Sequence, residues 1–281
     1  MSTWLITGCS TGLGRALATA VLAHGHNAVV TARDVTSVSD ITDTAPESAL
    51  ALALDVTDPA QVAAAVAEAE RRFGTIDVLV NNAGYGYRSA IEEAEPEDVQ
   101  RLFDTNVFGA VAMIRAVLPG MRERRSGAIV NISSIGARLM PPGSGYYAAT
   151  KAALEGLSGS LAKELAPLGI SVTAVEPGGF RTDFAGRSLT QSATPIPDYA
   201  ETAGKRRKEN DTVHGTQPGN PGLAAEAIIT VVEAPNTPTF LLLGSDAVAA
   251  YDETARAQQA EVDVWRDLSA STDYPPEDAQ E

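Results

Sequence analysis

The sequence predicts an α/β fold, a doubly wound sheet of about seven parallel strands with helices on both faces. Short runs rich in apolar and β-branched residues alternate along the chain with longer segments of helical pattern. Several of the short runs are apolar at successive positions, as strands covered on both faces are. The segments between them are long enough to be the crossover helices that connect parallel strands.

Seven strands are expected in order from the N-terminus. They are residues 3–8, 27–33, 51–56, 77–84, 127–134, 171–178 and 239–245. Helical segments lie between them, the clearest being 58–73, 97–118 and 146–166, and the alanine content of the first suits a helix. Residues 184–220 depart from the alternation, because they are polar and rich in Gly, Pro, Thr and Ser, and they form either a functional loop or a disordered one. The acidic tail from about residue 270 is expected to fray.

The composition limits the class of protein. The 281 residues suit one α/β domain, 1–281, since no Pro/Gly/Ser linker and no internal repeat divides them. With 36 acidic and 21 basic residues the net charge is −15, which argues against nucleic acid or an anionic membrane as the main partner. Cys9 is the one cysteine, the N-terminus has no signal-peptide pattern, and no apolar run approaches the length of a membrane span, so a soluble, cytoplasmic protein is expected.

A glycine-rich turn follows the first strand. Gly8, Gly12 and Gly14 in "TGCSTGLG" (7–14) precede a helix-forming segment. Glycines permit a tight turn and a close approach of the backbone, and the free N–H groups at the start of the helix attract a pyrophosphate. The spacing differs from the commoner Gly-x-Gly-x-x-Gly pattern, and a glycine turn alone can be no more than a tight connection. Its position after the first strand of a repeated βα pattern favours a nucleotide site.

Several features, in this order and at these separations, resemble the short-chain dehydrogenase/reductase family. They are the glycine turn, "NNAG" (81–84), Asn106, the serine of "IVNISS", and the pair Tyr147-x-x-x-Lys151. The resemblance covers about residues 3–182 and, more weakly, 221–245. It implies a Rossmann-type sheet, a nicotinamide cofactor, and hydride transfer between that cofactor and an alcohol or carbonyl compound. It also implies that residues 184–220 close over the substrate.

Tyr147 and Lys151 are the expected catalytic pair. Because they are four residues apart they share one face of a helix, and an ammonium beside the phenol is expected to lower its pKa from about 10 toward neutrality. An isolated Tyr-x-x-x-Lys is more often a packed tyrosine beside a solvated lysine. The resemblance implies instead that Tyr147 is the general acid or base and that Lys151 also holds the nicotinamide ribose.

Two further catalytic residues follow from the resemblance. Ser134 lies thirteen residues before Tyr147, the separation of the family, and is assigned to polarise the substrate carbonyl, with Ser133 as second choice. Asn106 interrupts a helical segment, where a lone asparagine commonly bonds the local backbone. In the family this disturbance holds a water that links the lysine to solvent.

The resemblance also implies a set of cofactor-binding residues. Asp55 is expected near the adenine, residues 82–84 beside the adenine ribose, and Pro177, Gly178 and Thr182 around the nicotinamide amide. The structural alternatives are a helix cap for Asp55 and a sheet-stabilising turn for residues 82–84. The full predicted set is Gly8, Ser10, Thr11, Gly12, Leu13, Gly14, Arg33, Asp55, Val56, Asn82, Ala83, Gly84, Tyr147, Lys151, Pro177, Gly178, Phe180 and Thr182.

The end of the second strand favours NADP(H) over NAD(H), although NAD(H) is also compatible. An NAD site places an acidic side chain there to accept hydrogen bonds from the adenosine ribose, whereas an arginine accommodates the extra phosphate of NADP. Ala32 occupies the acidic position and Arg33 follows it. Asp34 is the alternative, because its carboxylate favours NAD if the strand ends later than expected.

The combined expectation is an oxidoreductase that reduces a medium or bulky hydrophobic ketone or aldehyde with NADPH. The apolar residues expected to line its substrate pocket are Leu139, Met140, Pro141, Pro142, Phe180, Phe184 and Leu189. The alternative is a catalytically silent dinucleotide-binding sensor or scaffold of the same fold. The resemblance further implies a homodimer or homotetramer that pairs through residues 97–118 and 146–166.

No metal site is expected, and the remaining candidates are interpreted as structural. Cys9 has no cluster of ligand residues nearby, and His24, His26 and His214 are scattered. The basic run "KRRK" (205–208) is expected to be a solvated helix face, because the chain as a whole is acidic.

Overall fold

Seven parallel strands form one sheet in a computed structural model of the protein, which describes residues 1–186, 188–213 and 215–274. In chain order the strands are β1 Thr3–Ile6, β2 Asn27–Ala32, β3 Ala49–Ala53, β4 Val78–Asn81, β5 Gly86–Arg88, β6 Gly127–Ile132, β7 Ile170–Pro177, β8 Leu189–Gln191 and β9 Phe240–Leu243. The large sheet has the order β3-β2-β1-β4-β6-β7-β9, and its neighbouring strands are parallel. The predicted fold class is confirmed. His214 lies outside the described residues.

Helices cover both faces of this sheet. They are α1 Gly12–Ala23, α2 Ser39–Asp43, α3 Pro59–Phe73, α4 Pro96–Phe103, α5 Ala110–Arg124, α6 Gly136–Leu139, α7 Gly145–Leu165, α8 Ala203–Val213, α9 Pro221–Glu233 and α10 Ser245–Ala270. On one face α1 and α9 bury Leu17 and Ile228 against the sheet, and on the other α3 and α5 bury Val66 and Val117. An apolar layer on each side explains why the strands are apolar at successive positions.

Helices α4 and α5 continue into each other through the π-helical turn Asp104–Gly109. The combined helix Pro96–Arg124 has 29 residues and is long and apolar enough to cross a membrane by length and composition, contrary to the expectation from the sequence. Its Met113 is fully buried in a core cluster with Leu79 of β4 and Ile129 of β6. In this fold it is therefore a helix of the core.

The strands end early at one edge of the sheet. β1, β4 and β6 stop at Ile6, Asn81 and Ile132, so the residues after them leave the sheet as loops, where the sequence pattern predicts further strand. From β1 the chain builds the sheet first toward β3 and then, beginning with β4, in the other direction. In open α/β sheets ligands bind at the carboxyl ends of the strands where the order reverses in this way.

Residues 184–220 contain ordered elements rather than the uninterrupted loop that their composition predicts. β8 pairs with β5 in a second, two-stranded parallel sheet, and α8 lies further along the segment. Arg207 of α8 donates to Glu93 at 2.5 Å, and their side chains are 12% and 2% exposed. The basic run 205–208 is thus not a solvated face throughout, because Arg207 neutralises a buried carboxylate that would be costly unpaired.

Helix α10 carries the chain away from the sheet. Ala247 in its first turn is buried, whereas Val262, Trp265 and Leu268 are exposed. The helix ends at Ala270, where the sequence predicts the polar tail to begin. The last part of that tail, residues 275–281, lies outside the described residues.

Candidate active site

A cleft of about 770 Å³ opens at the edge where the strands end early. Its walls contain nearly all of the predicted cofactor-binding and catalytic residues. They are Gly8, Ser10, Thr11, Gly12, Leu13, Arg33, Asp55, Val56, Asn82, Ala83, Gly84, Ser134, Tyr147, Lys151, Pro177, Gly178, Phe180 and Thr182. Two members of the predicted set, Gly14 and Asn106, lie behind the wall instead.

The turn after β1 needs its glycines for two different reasons. Gly8 and Gly12 have φ angles of +71° and +64°, a region that glycine adopts without strain. Gly14 allows close packing, since a Cβ atom there would lie 2.3 Å from Nδ2 of Asn82 and 2.7 Å from the carbonyl oxygen of Gly8. Thr11, the N-cap of α1, makes no side-chain capping bond, so the N–H groups of the first turn are left for a ligand in the cleft.

Asn106 lies in the π-helical turn and supports the loop after β4. Its Oδ1 accepts from the backbone N of Tyr85 at 3.0 Å, and its Nδ2 donates to the carbonyl oxygen of Tyr85 at 2.9 Å and to Oγ1 of Thr150 at 3.2 Å. A Cβ atom on Gly84 would lie 3.0 Å from this Oδ1 and 3.6 Å from Nζ of Lys151. The Asn106 side chain therefore lies next to Gly84 and close to Nζ of Lys151.

Tyr147 and Lys151 lie one turn apart in α7 and are both buried. Nζ of Lys151 donates to the carbonyl oxygen of Ile132 at 2.8 Å and lies 5.8 Å from the centre of the Tyr147 ring. Burial lowers the pKa of Lys151, and the negative charge of Glu155 raises it. Burial is the larger effect, so the pKa falls to about 8. The lysine therefore changes charge close to physiological pH.

The phenol of Tyr147 departs from the expectation. Burial raises its pKa, while a hydrogen bond with Ser134 and the positive charge of Arg88 act in the opposite direction. The prediction that Lys151 lowers this pKa is wrong for this structure, because the ammonium is bonded to Ile132 and desolvation of the phenolate dominates. Tyr147 is thus protonated at neutral pH, the state from which a phenol donates a proton.

Of the two candidate serines, Ser134 contacts the phenol. Its hydroxyl accepts from N of Gly136 at 3.0 Å and is hydrogen-bonded to Tyr147. The hydroxyl of Ser133 donates to Oε1 of Glu155 at 2.7 Å instead. Ser134 is therefore the hydroxyl within reach of the reacting group.

The loop after β7 is held by a residue that the sequence analysis missed. N of Gly178 donates to the carbonyl oxygen of Leu243 at 2.9 Å, and N of Gly179 donates to Oδ2 of Asp246 at 2.6 Å. A Cβ atom on Gly178 would lie 2.3 Å from the Asp246 carboxylate. An acidic residue in the first turn of a helix is a recognisable pattern, but it does not indicate a contact with a loop so distant in the chain.

The predicted apolar pocket is only partly present. Phe180 and Phe184 line the cleft, and the rings of Phe184 and Tyr147 have centroids 5.7 Å apart. Leu139 is the last residue of the short helix α6 and Met140 follows it, and they are 45% and 59% exposed. The other members of the set also lie outside the lining of the cleft: Pro141, Pro142 and Leu189.

Ala32 and Arg33 line the opposite end of the cleft, where Arg33 is exposed. Asp34 is engaged locally, since its Oδ1 accepts from the backbone N and from Oγ1 of Thr36 at 3.0 and 2.7 Å. Asp55 lines the cleft while its Oδ1 accepts a backbone N–H two residues on at 2.9 Å, so the turn-forming role and a wall position coexist. The guanidinium of Arg33 is an exposed positive charge at this end, and Arg101, with a side chain 64% exposed, also lines the cleft.

Within the described part of the chain, no group of three His, Cys, Asp or Glu side chains could hold a metal ion. Cys9 is fully buried, and burial raises the pKa of its thiol to about 12. His24 and His26 bond to Glu226 and Glu233 of α9 at 2.8 and 2.9 Å. These three side chains have structural contacts away from the cleft.

Comparison with known proteins agrees with this architecture. The family model described as short chain dehydrogenase matches residues 2–193. The oxidoreductase BOA17 of Botryotinia fuckeliana is 37% identical over 270 residues, which are 96% of this chain and 98% of that protein. A crystal structure of a short-chain dehydrogenase from Streptomyces avermitilis has a TM-score of 0.91 and 43% identity, covering 97% of this chain and 100% of that one. The 3-ketoacyl-(acyl-carrier-protein) reductase of Brucella melitensis, in complex with NADH, has a TM-score of 0.72 and 30% identity, covering 86% and 96%. The chain therefore belongs to the short-chain dehydrogenase/reductase family and is an NAD(P)-dependent oxidoreductase.

Proposed function

We propose that this oxidoreductase uses NADPH to reduce a hydrophobic ketone or aldehyde to an alcohol. The observation that carries the proposal is the meeting of Tyr147, Ser134 and Lys151 at one corner of the cleft. A proton donor, a second hydrogen-bond donor and a cation around one point are what protonation of a carbonyl oxygen requires.

The cleft suits a nicotinamide dinucleotide. Its volume of about 770 Å³ lies within the range of small-molecule sites. A Cβ atom on Gly8 would lie 2.8 Å from Cα of Ala83, so the loop keeps its shape because this position has no side chain. The free N–H groups at the start of α1 would hold the pyrophosphate, and Lys151 the nicotinamide ribose. When bound, the dinucleotide supplies the hydride.

The chain's own residues control the oxygen of the substrate. The hydroxyl of Ser134 donates a hydrogen bond to the carbonyl oxygen as negative charge develops there, and Tyr147 transfers its phenolic proton to the same oxygen. Because burial raises the pKa of Tyr147, the phenol carries this proton at neutral pH. Nζ of Lys151 lies 5.8 Å from the centre of the Tyr147 ring, and Asn106 is assigned to the relay that returns a proton from solvent.

The preference for NADPH rests on Arg33. Its guanidinium is exposed at the adenosine end, whereas Oδ1 of the adjacent Asp34 already accepts hydrogen bonds from Thr36. An arginine at this place favours a ribose that carries a phosphate. The Brucella relative has NADH bound, so membership of the family leaves both cofactors open.

The remaining parts of the proposal concern substrate, lid and assembly. The aromatic side chains of Tyr85 and Phe184 in the wall favour a substrate with an apolar body. Residues 184–220 are the lid of a single catalytic domain, 1–281.

The helices expected to pair expose Phe108 and Leu157, by 56% and 43%, which supports a homodimer or homotetramer. The acidic charge and the single cysteine favour a cytoplasmic enzyme.

The test is oxidation of NADPH and NADH with a panel of hydrophobic ketones and aldehydes. Tyr147→Phe should lower turnover at least about 100-fold, because proton transfer by a positioned side chain contributes that much, and should leave the Kd for NADPH nearly unchanged. Tyr146→Phe is the matched control, since the Tyr146 hydroxyl donates to the carbonyl oxygen of Ile91. A parent protein that binds NADPH but oxidises it with no carbonyl would support a silent sensor instead.

A further inference from the structure

Behind the catalytic corner lies a cluster of three charged side chains, Arg138, Glu155 and Glu176, which we call the Arg138 cluster. Nε and Nη2 of Arg138 donate to the two carboxylate oxygens of Glu176 at 2.5 and 2.7 Å, a bidentate pair. Oε2 of Glu155 lies 3.7 Å from Nη2 of the same guanidinium. The Glu176 side chain is fully buried and that of Glu155 is 11% exposed.

Each member of the cluster belongs to a segment that carries part of the active site. Arg138 lies in α6, four residues after Ser134. Glu176 lies in β7, one residue before this strand ends at Pro177 in the wall of the cleft. Glu155 lies in α7, one turn after Lys151. One guanidinium therefore connects the three catalytic segments, namely the loop after β6, the end of β7 and helix α7.

Hydrogen bonds join the cluster to the residues beside the catalytic side chains. The hydroxyl of Ser133 donates to Glu155 at 2.7 Å and lies 3.4 Å from the carbonyl oxygen of Lys151. The backbone N of Ile135 donates at 3.1 Å to the carbonyl oxygen of Pro177, the residue that follows Glu176. A shift of the guanidinium is thus expected to move the serine loop relative to both other segments.

Two aromatic rings flank the guanidinium of Arg138, whose side chain is 30% exposed, whereas the Glu176 carboxylate that it binds is fully buried. Cζ of Arg138 lies 5.5 Å from the centre of the Phe240 ring and 5.1 Å from that of Tyr251. A buried ion pair contributes little to stability relative to apolar residues of the same shape, because desolvation offsets the attraction. The fixed geometry of a bidentate pair is a better reason for charges at this place than stability.

We propose that Arg138 is a positioning residue, which through Glu176 and Glu155 keeps the three catalytic segments in register. The inference rests on the proposed function, since it concerns the same reaction. Arg138 touches neither substrate nor cofactor and acts through the position of Ser134 beside Tyr147.

Arg138→Lys is the first test, because lysine keeps the charge but cannot make two parallel hydrogen bonds. We expect kcat to fall about tenfold or more while the Kd for NADPH stays within about threefold. Ser134→Ala should cost less in the Arg138→Lys background than in the parent, since residues that act through each other are not additive. Arg266→Lys is the control, because its pair with Asp263 is exposed on α10.

Hydrogen exchange supplies a readout that does not depend on turnover. The backbone amide of Ile135 should exchange hydrogen about tenfold faster in Arg138→Lys than in the parent. The same increase is expected in the double variant Arg138→Met with Glu176→Gln, which replaces the ion pair by neutral groups of similar size. Unchanged kcat and exchange, or additive effects with Ser134→Ala, would overturn the inference. A parent that turns over no carbonyl defeats the proposed function alone, because exchange at Ile135 still decides the positioning claim.

Discussion

Replacing Arg33 by alanine is expected to weaken binding of NADPH about tenfold and to change binding of NADH by less than about twofold. Arg33 lines the end of the cleft that we assign to the adenosine, next to Ala32, and its side chain is exposed. The extra phosphate of NADPH is the one group that distinguishes the two cofactors at this end. The loss should therefore fall on NADPH.

The magnitude follows from the surroundings of Arg33. A hydrogen bond to a charged group contributes about 1.5–3 kcal/mol. Because Arg33 is exposed, solvent screens the contact and the lower limit applies. About 1.4 kcal/mol corresponds to a tenfold change in Kd. We expect little compensation by Asp34 in the NADH complex, since its Oδ1 already accepts two hydrogen bonds from Thr36.

Isothermal titration of both cofactors at low and high salt measures this effect. The difference between parent and Arg33→Ala should shrink at high salt, because exposed charges are screened. Arg256→Ala on α10 is the control for loss of an exposed positive charge. Ala32→Asp should reverse the preference, since a carboxylate at this position repels the phosphate. Equal Kd values for the two cofactors in the parent, or an unchanged ratio in Arg33→Ala, would refute the reasoning.

Three further predictions concern the lysine, the lid and the assembly. Burial lowers the pKa of Lys151 to about 8, so its ammonium is lost as pH rises through that value. If the ammonium holds the ribose as proposed, affinity for NADPH should fall from about pH 7 to about pH 9.5, and a flat profile contradicts the assignment. Arg207→Ala leaves the side chain of Glu93, which is 2% exposed, without its charged partner. The backbone amides of residues 189–199 should then exchange hydrogen faster, and KM for the carbonyl should rise. Lys205→Ala is the control, because its ion pair with Glu201 is exposed. Leu157→Glu, at a 43% exposed position of α7, should convert an oligomer to a monomer in sedimentation, and a parent that is already monomeric at micromolar concentration excludes that interface.

Much of the fold and the site could be predicted because the responsible patterns are local. Apolar runs bounded by turns locate the strands, since a strand covered on both faces has no polar side to show. The helical period places Tyr147 and Lys151 on one face, whatever the rest of the chain does. The turn of Gly8 and Gly12 is likewise readable, because their left-handed φ angles of +71° and +64° exclude most other residues.

Residues that act through distant partners were not predictable in the same way. Arg207 and Glu93 are 114 residues apart in the chain, and the segment around Arg207 has the composition of a solvated helix. Asp246 is 67 residues from the Gly179 amide that it holds. No periodicity encodes such pairs, because each depends on which loops the completed sheet brings together.

By itself the sequence determined the sheet, the glycine turn and the Tyr147 and Lys151 pair, which depend on short spacings. It also determined the likeness to one family, which depends on the order and separation of several such motifs. Only the tertiary structure decided the pKa values of Tyr147 and Lys151 and the hydrogen bonds between distant segments around them. Burial raises the pKa of Tyr147 and lowers that of Lys151, and burial is a property of the packed chain. The contact of Arg138 with Glu176 likewise exists only when α6 lies against β7. Desolvation and long-range hydrogen bonds arise when segments meet, so their energies are absent from any local stretch of residues.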